Sequence, residues 1–171
     1  MAAVARVQAP QGQTGDPIRD SALGLVPETV DPIARLNRHA WRSSPVRASL
    51  LEIVRLRNAR TVNCQFCKSV RYDLARRDGL TESKVDQIRD GYEQSALADD
   101  EKLALAFADA YLHDPKTISA ELAARLKQHF TPAQLAHLAI ALIAFNATSR
   151  CAVSIGGMPD NLPVMEITAP E

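Results

Sequence analysis

Cys64 and Cys67 are separated by two residues in the run Asn63-Cys64-Gln65-Phe66-Cys67, a spacing that brings two nucleophiles within bonding reach. At about 100° of rotation per residue, a helix through this run sets the two sulfurs about 60° apart on one face, with Arg71 on that face one turn further on. One sulfur can then attack an oxidised substrate while the other closes a disulfide, a redox cycle that uses no bound cofactor. Asn63 is the expected N-cap of this helix, which puts Cys64 in the first turn, where unpaired N–H groups and the helix dipole favour a thiolate. Arg71 would act on Cys67 in the same direction as a fixed cation. Two plainer readings stand beside this one. A structural zinc site needs four ligands, and no second CxxC or His-x₃₋₅-His accompanies the pair, since His39, His113, His129 and His137 are scattered. Two small cysteines can also simply fill a core. Cys151, on the last apolar segment beside Arg150, reads as packing.

The elements that must position these residues read as helices. Only Gly79 and Gly91 lie between Gly24 and Gly156, too few turn residues for an all-β domain. Asp31-Pro32 opens a helix to about Trp41, and Ser44-Pro45 opens another to about Arg60. A third is expected from Cys64 to Asp78, stopped by Gly79 in the C′ position. Thr81, Asp99 or Asp100, Ser119 and Thr131-Pro132 begin four more, the last ending near Gly156-Gly157. No strand precedes Asn63, so a βαβ redox unit does not fit. The reading is an all-α protein of six or seven helices: an irregular segment over 1–30, a helical domain over 31–158 and an irregular tail over 159–171.

Lys plus Arg and Asp plus Glu both number 20, so the chain lacks the basic footprint of a nucleic-acid binder. The longest apolar run, Leu138 to Phe145, falls short of the ~18 residues of a membrane span. No sustained apolar region marks the first residues as a secretory signal, so a cytoplasmic location is expected, where three cysteines do not form a disulfide framework. The final helix is apolar on nearly all sides and is expected to be a central, buried element. That surplus of apolar surface also points to a homo-oligomer. Glu52, in Leu50-Leu51-Glu52-Ile53-Val54, is a carboxylate in an apolar setting; its plain alternative is a surface pair with Arg55 at i+3, worth ~0.3 kcal/mol.

Glu52, eleven residues, Cys64, two residues, Cys67, then a helix ending at Gly79-Leu80 before Thr81-Glu82, resembles the core of the alkylhydroperoxidase D and carboxymuconolactone decarboxylase family. The resemblance continues from Asp99 to Asn146 and through Ser149-Arg150 and Gly156, covering roughly residues 32–158. It implies an all-helical fold assembled as a homo-oligomer, commonly a trimer or hexamer. It also implies cysteine-pair peroxidase or disulfide reductase activity, with a hydroperoxide or partner disulfide as substrate and a thiol protein as reductant. The family places one histidine between the cysteines and another four residues after the second; this chain has Phe66 and Arg71 there. Glu52 matches the family carboxylate that orients the relay, and an Arg71–Glu52 ion pair under the thiols is the expected replacement. Family precedent implies that Cys67 meets peroxide and Cys64 resolves, whereas helix position favours Cys64 as the more acidic and exposed thiol. Asn146, Ser149 and Arg150 read as structural hydrogen-bonding groups. A lactone decarboxylase, which the cysteine pair argues against, and a non-catalytic oligomeric ligand binder are the alternatives.

Overall fold

The computed structural model describes residues 4–11, 14–16, 18–156 and 160–170. Among them are eight α-helices: α1 (Pro27–Arg42), α2 (Ala48–Val62), α3 (Gln65–Ser69), α4 (Asp73–Arg77), α5 (Glu82–Asp86), α6 (Asp99–His113), α7 (Ala120–His129) and α8 (Pro132–Ile155). Two three-residue strands, β1 (Val70–Tyr72) and β2 (Met165–Ile167), and three short 3₁₀ helices, Ala22–Leu25, Tyr92–Gln94 and Pro115–Thr117, complete the set. The all-α expectation holds, and several helix starts fall where the capping residues put them. Thr81, Ser119 and Thr131 each accept a backbone N–H from the first turn of their helix, and Thr131 and Gln134 form a reciprocal capping box.

The first helix starts earlier than expected. Pro27 takes the first helical position and Pro32 lies inside α1, where the missing N–H leaves one helical bond unmade without ending the helix. Two prolines compatible with a start occur five residues apart, and the structure uses the earlier one.

The centre of the molecule is α2, not α8. Every residue from Ser49 to Ala59 is buried, and α2 is packed against α8, α6 and α4. Leu50, Leu51 and Val54 join Trp41, Leu103, Leu138, Leu142 and Phe145 in the main core, while Ile53 and Leu56 belong to a second cluster with Ile88 and Leu105. The helix hides because its charged residues are paired inside the protein; hydropathy alone ranks it below α8. By length and composition α8 could cross a membrane, yet it packs against α1 and α2. Its Ile140 and Ile143 remain about half exposed, at 46% and 50%.

The helix expected from Cys64 to Asp78 is broken. Asn63 does not cap it; with φ 57° it is the left-handed C-cap that ends α2. Cys64 takes the N-cap position, its sulfur accepting the Cys67 N–H at 3.3 Å. The chain then leaves α3 at Val70 to form β1 and resumes as α4 at Asp73. Strand β1 pairs in parallel with β2, Val70 with Met165, Arg71 with Glu166 and Tyr72 with Ile167. The segment 159–171, expected to be irregular, therefore contributes a strand, and Ala169 beyond it is buried. Arg42 holds the carbonyls of Ala169 and Pro170, and Asp73 accepts the Ala169 N–H at 2.9 Å. Gly157 and Pro159, named in the expected end of the last helix and the start of the tail, lie outside the described residues.

Candidate active site

Cys64 and Cys67 form a disulfide, their Cα atoms 5.2 Å apart, and Cys151 is free on α8. The two sulfurs face different surroundings. Cys64 is completely buried, whereas Cys67 is half-buried and lines a cavity of about 710 Å³. The expectation that Cys64 is the more exposed thiol is thus reversed: capping α3 turns Cys64 inward, and one turn later Cys67 reaches the open side.

Glu52 is fully buried and binds Arg55 through two hydrogen bonds, Nε to Oε2 at 2.6 Å and Nη2 to Oε1 at 2.7 Å. The backbone N–H of Tyr72 adds a third bond to Oε1 at 3.3 Å. Arg55 continues outward, donating Nη1 to the Cys67 carbonyl and Nη2 to the Val70 carbonyl, both at 2.8 Å. Glu52 therefore acts on the cysteine loop through Arg55, as one bidentate buried pair whose remaining donors fix the loop backbone. Its guanidinium also lies over the Tyr72 ring, 5.3 Å from the centroid. Burial pushes the Tyr72 phenol above its ordinary range, with Arg55 opposing that shift and Glu52 adding to it.

Arg71 is placed elsewhere. Successive residues of a strand point to opposite faces, so Val70 and Tyr72 line the cavity while Arg71 turns away from it. Arg71 binds Glu82 through Nε and Nη2 at 3.1 and 3.0 Å and donates Nη1 to the Lys68 and Val70 carbonyls at 2.7 and 2.8 Å. Burial would raise the Glu82 carboxyl, but Arg71 and Arg76 together hold it below its usual value. The expected Arg71–Glu52 ion pair is replaced by two separate pairs, Glu52 with Arg55 and Arg71 with Glu82. The helical projection failed here because the chain is helical for only five residues after Cys64.

The cavity itself was not foreseen. Its walls include Ile18 and Leu23 from the N-terminal segment, Phe145 and Ile155 from α8 and Ile167 from β2, so both ends of the chain close over Cys67. Phe66, at a position where the related pattern has histidine, adds to this apolar lining. Ser149 also lines it, buried at 3% exposure, with its hydroxyl 3.4 Å from the Cys67 sulfur. Arg55 was visible in the sequence only as a surface partner of Glu52. The signal that α2 offers it no exposed face is the apolar run on both sides of the pair, Leu50 to Leu56. Ser149 carries no local signal, because it meets Cys67 only through the packing of α8 on α2 and α3. No cluster of metal-ligating side chains occurs among the described residues.

No family model matches the chain. The uncharacterized protein Rv2313c of Mycobacterium tuberculosis is 33% identical over 106 residues, which are 61% of this chain and 37% of that protein. The chain thus spans little more than a third of that relative's length. The uncharacterized protein YdfG of Bacillus subtilis is 23% identical over 139 residues, covering 81% of this chain and 94% of YdfG. Among solved structures, ATU0492 of Agrobacterium tumefaciens, a protein of unknown function provisionally described as the antioxidant-defence protein AhpD, superposes with a TM-score of 0.66. That likeness covers 77% of this chain and 90% of ATU0492 at 23% identity. The chain has the all-helical AhpD-like fold, with a CxxC pair at its candidate site.

Proposed function

We propose that this protein is a cysteine-pair peroxidase in which Cys67 attacks a hydroperoxide and Cys64 resolves the product. The observation that carries the reading is the asymmetry of the pair: one sulfur lines an apolar cavity, and the other lies buried behind it at disulfide distance. The Cys67 thiolate attacks the distal oxygen of ROOH, the O–O bond breaks, and the alkoxide takes up a proton to leave as ROH. Cys67 is then a sulfenic acid. The Cys64 thiol attacks that sulfur, water departs, and the disulfide forms; an external dithiol protein returns two electrons and two protons by thiol–disulfide exchange. Arg55 supports the cycle by fixing the Cys67 carbonyl, its own charge balanced by Glu52.

The fold's likeness to ATU0492 supports an antioxidant-defence role, and the apolar lining supports an organic hydroperoxide over a large protein disulfide as the substrate of Cys67. Trapping tests the order of events. In Cys64→Ser, one equivalent of cumene hydroperoxide is expected to leave a dimedone-reactive sulfenic acid on Cys67, while Cys67→Ser consumes no hydroperoxide. Equal consumption by Cys67→Ser would reject the assignment. A parent protein that leaves both cysteines reduced would instead favour the non-catalytic ligand binder, for which the same cavity supplies the site.

A further inference from the structure

A line of hydrogen bonds runs from the surface of α8 to the Cys67 sulfur. Arg150 Nε donates to Asn146 Oδ1 at 2.9 Å, Asn146 Nδ2 to Asn58 Oδ1 at 2.8 Å, Asn58 Nδ2 to Ser149 Oγ at 3.1 Å, and Ser149 Oγ to Cys67 Sγ at 3.4 Å. Arg150 is exposed, Asn146 half-buried, Asn58 fully buried and Ser149 nearly so. The proposed peroxidase cycle as stated above uses none of these four groups.

The direction of this line is fixed from its outer end. A guanidinium has donors and no acceptor, so the atom of Asn146 that meets Arg150 must be its carbonyl oxygen. The Asn146 amide nitrogen is then the group facing Asn58, which must answer with its own carbonyl oxygen. Asn58 is left with its NH₂ toward Ser149, and Ser149 therefore accepts from that side. Its hydroxyl has one hydrogen, and the remaining neighbour within hydrogen-bond distance is the Cys67 sulfur. We infer that Ser149 is a catalytic residue that donates its hydroxyl hydrogen to the Cys67 thiolate, and that Arg150, Asn146 and Asn58 are positioning residues that set this polarity.

In the reduced protein such a donor stabilises the anion over the neutral thiol and so lowers the thiol pKa. The line polarises and does not conduct: an amide NH₂ has no acidic proton to pass on, so two asparagines in series block proton transfer between solvent and sulfur. The other charged or titratable groups around Cys67 are Arg55 and Glu52 of α2, Lys68 of α3, Tyr72 of β1, Asp16 of the N-terminal segment and Cys64. They are common to parent and variants.

This inference rests on Cys67 as the attacking sulfur, but its test does not require turnover. In fully reduced protein, the rate of Cys67 alkylation by iodoacetamide is followed against pH by peptide mass spectrometry. Ser149→Ala is expected to move the midpoint up by about one pH unit, a tenfold loss of thiolate at a fixed lower pH. Arg150→Met, an exposed substitution with little bearing on folding, is expected to give a smaller upward shift. A Ser149→Ala profile that overlays the parent overturns the assignment, and a shift in Ser149→Ala with none in Arg150→Met overturns the part given to the outer residues. Should the profiles shift as expected in a protein that consumes no hydroperoxide, the peroxidase reading fails and the donor assignment stands.

Discussion

Removing the charge of Glu52 strands the guanidinium of Arg55 in a place where water does not reach it. Breaking a buried ion pair by deleting one partner costs about 3–5 kcal/mol, because the other charge keeps its desolvation penalty and loses its compensation. Glu52→Gln is therefore expected to lower the unfolding free energy by about that amount in urea denaturation, whereas Glu52→Leu combined with Arg55→Met recovers much of the loss. A loss below about 1 kcal/mol in Glu52→Gln would mean that the pair is wet, as an exposed one is. The same residues show what could be read from the chain alone. The CxxC spacing and the apolar setting of Glu52 were legible. The partner of Glu52 was not, because an i, i+3 pair on a helix has the same sequence whether it faces solvent or core. The place of Arg71 is hidden from the sequence for a different reason: helical spacing from Cys64 holds only to Ser69, where α3 ends, and Arg71 lies beyond it in β1.

At the scale of elements, the least legible feature is the pairing of β1 with β2. Three residues give no alternation to detect, and the partner strand lies more than ninety positions away. What holds the tail in place is local and testable. Burial would raise the Asp73 carboxyl, but the N–H groups of Ala169 and Leu74, with Arg77 and Arg42, outweigh it and hold the carboxyl below its ordinary value of 3.8. A carboxylate whose folded value is depressed contributes stability above its unfolded pKa, and that contribution is lost as the pH falls through the folded value. Acidification below about pH 4 is therefore expected to speed hydrogen exchange at Ala169 before the core amides of α2 exchange. Asp73→Asn should loosen the same amide at neutral pH and flatten its acid dependence. Unchanged exchange at Ala169 in Asp73→Asn would contradict the role given to Asp73. By contrast, the starts of α5, α7 and α8 were legible to the residue, since Thr81, Ser119 and Thr131 announce them by side-chain chemistry that survives in any tertiary setting, whereas α1 and α2 begin a few residues away from the Asp31-Pro32 and Ser44-Pro45 signals.

At the scale of the whole molecule, two observations meet. Helix α8 is the most apolar segment of the chain, yet it is not the most buried, and Ala136, Ile140 and Ile143 lie exposed at helical spacing along it. An apolar stripe of this kind is what a self-associating protein presents, and a homo-oligomer is the expected state in light scattering. Replacing both Ile140 and Ile143 with Glu should shift it toward monomer with circular dichroism unchanged; a parent that is monomeric at micromolar concentration would contradict this. The other observation is that both ends of the chain close a cavity over one of three cysteines, which ties the proposed redox activity to the completed fold. The proposed peroxidase cycle is tested most directly by counting and locating thiols in the reduced protein before and after one equivalent of cumene hydroperoxide. It predicts the loss of two thiols per peroxide, a Cys64–Cys67 disulfide as the product and Cys151 still reduced. Three thiols intact, or a product linking Cys151 to either member of the pair, would contradict it.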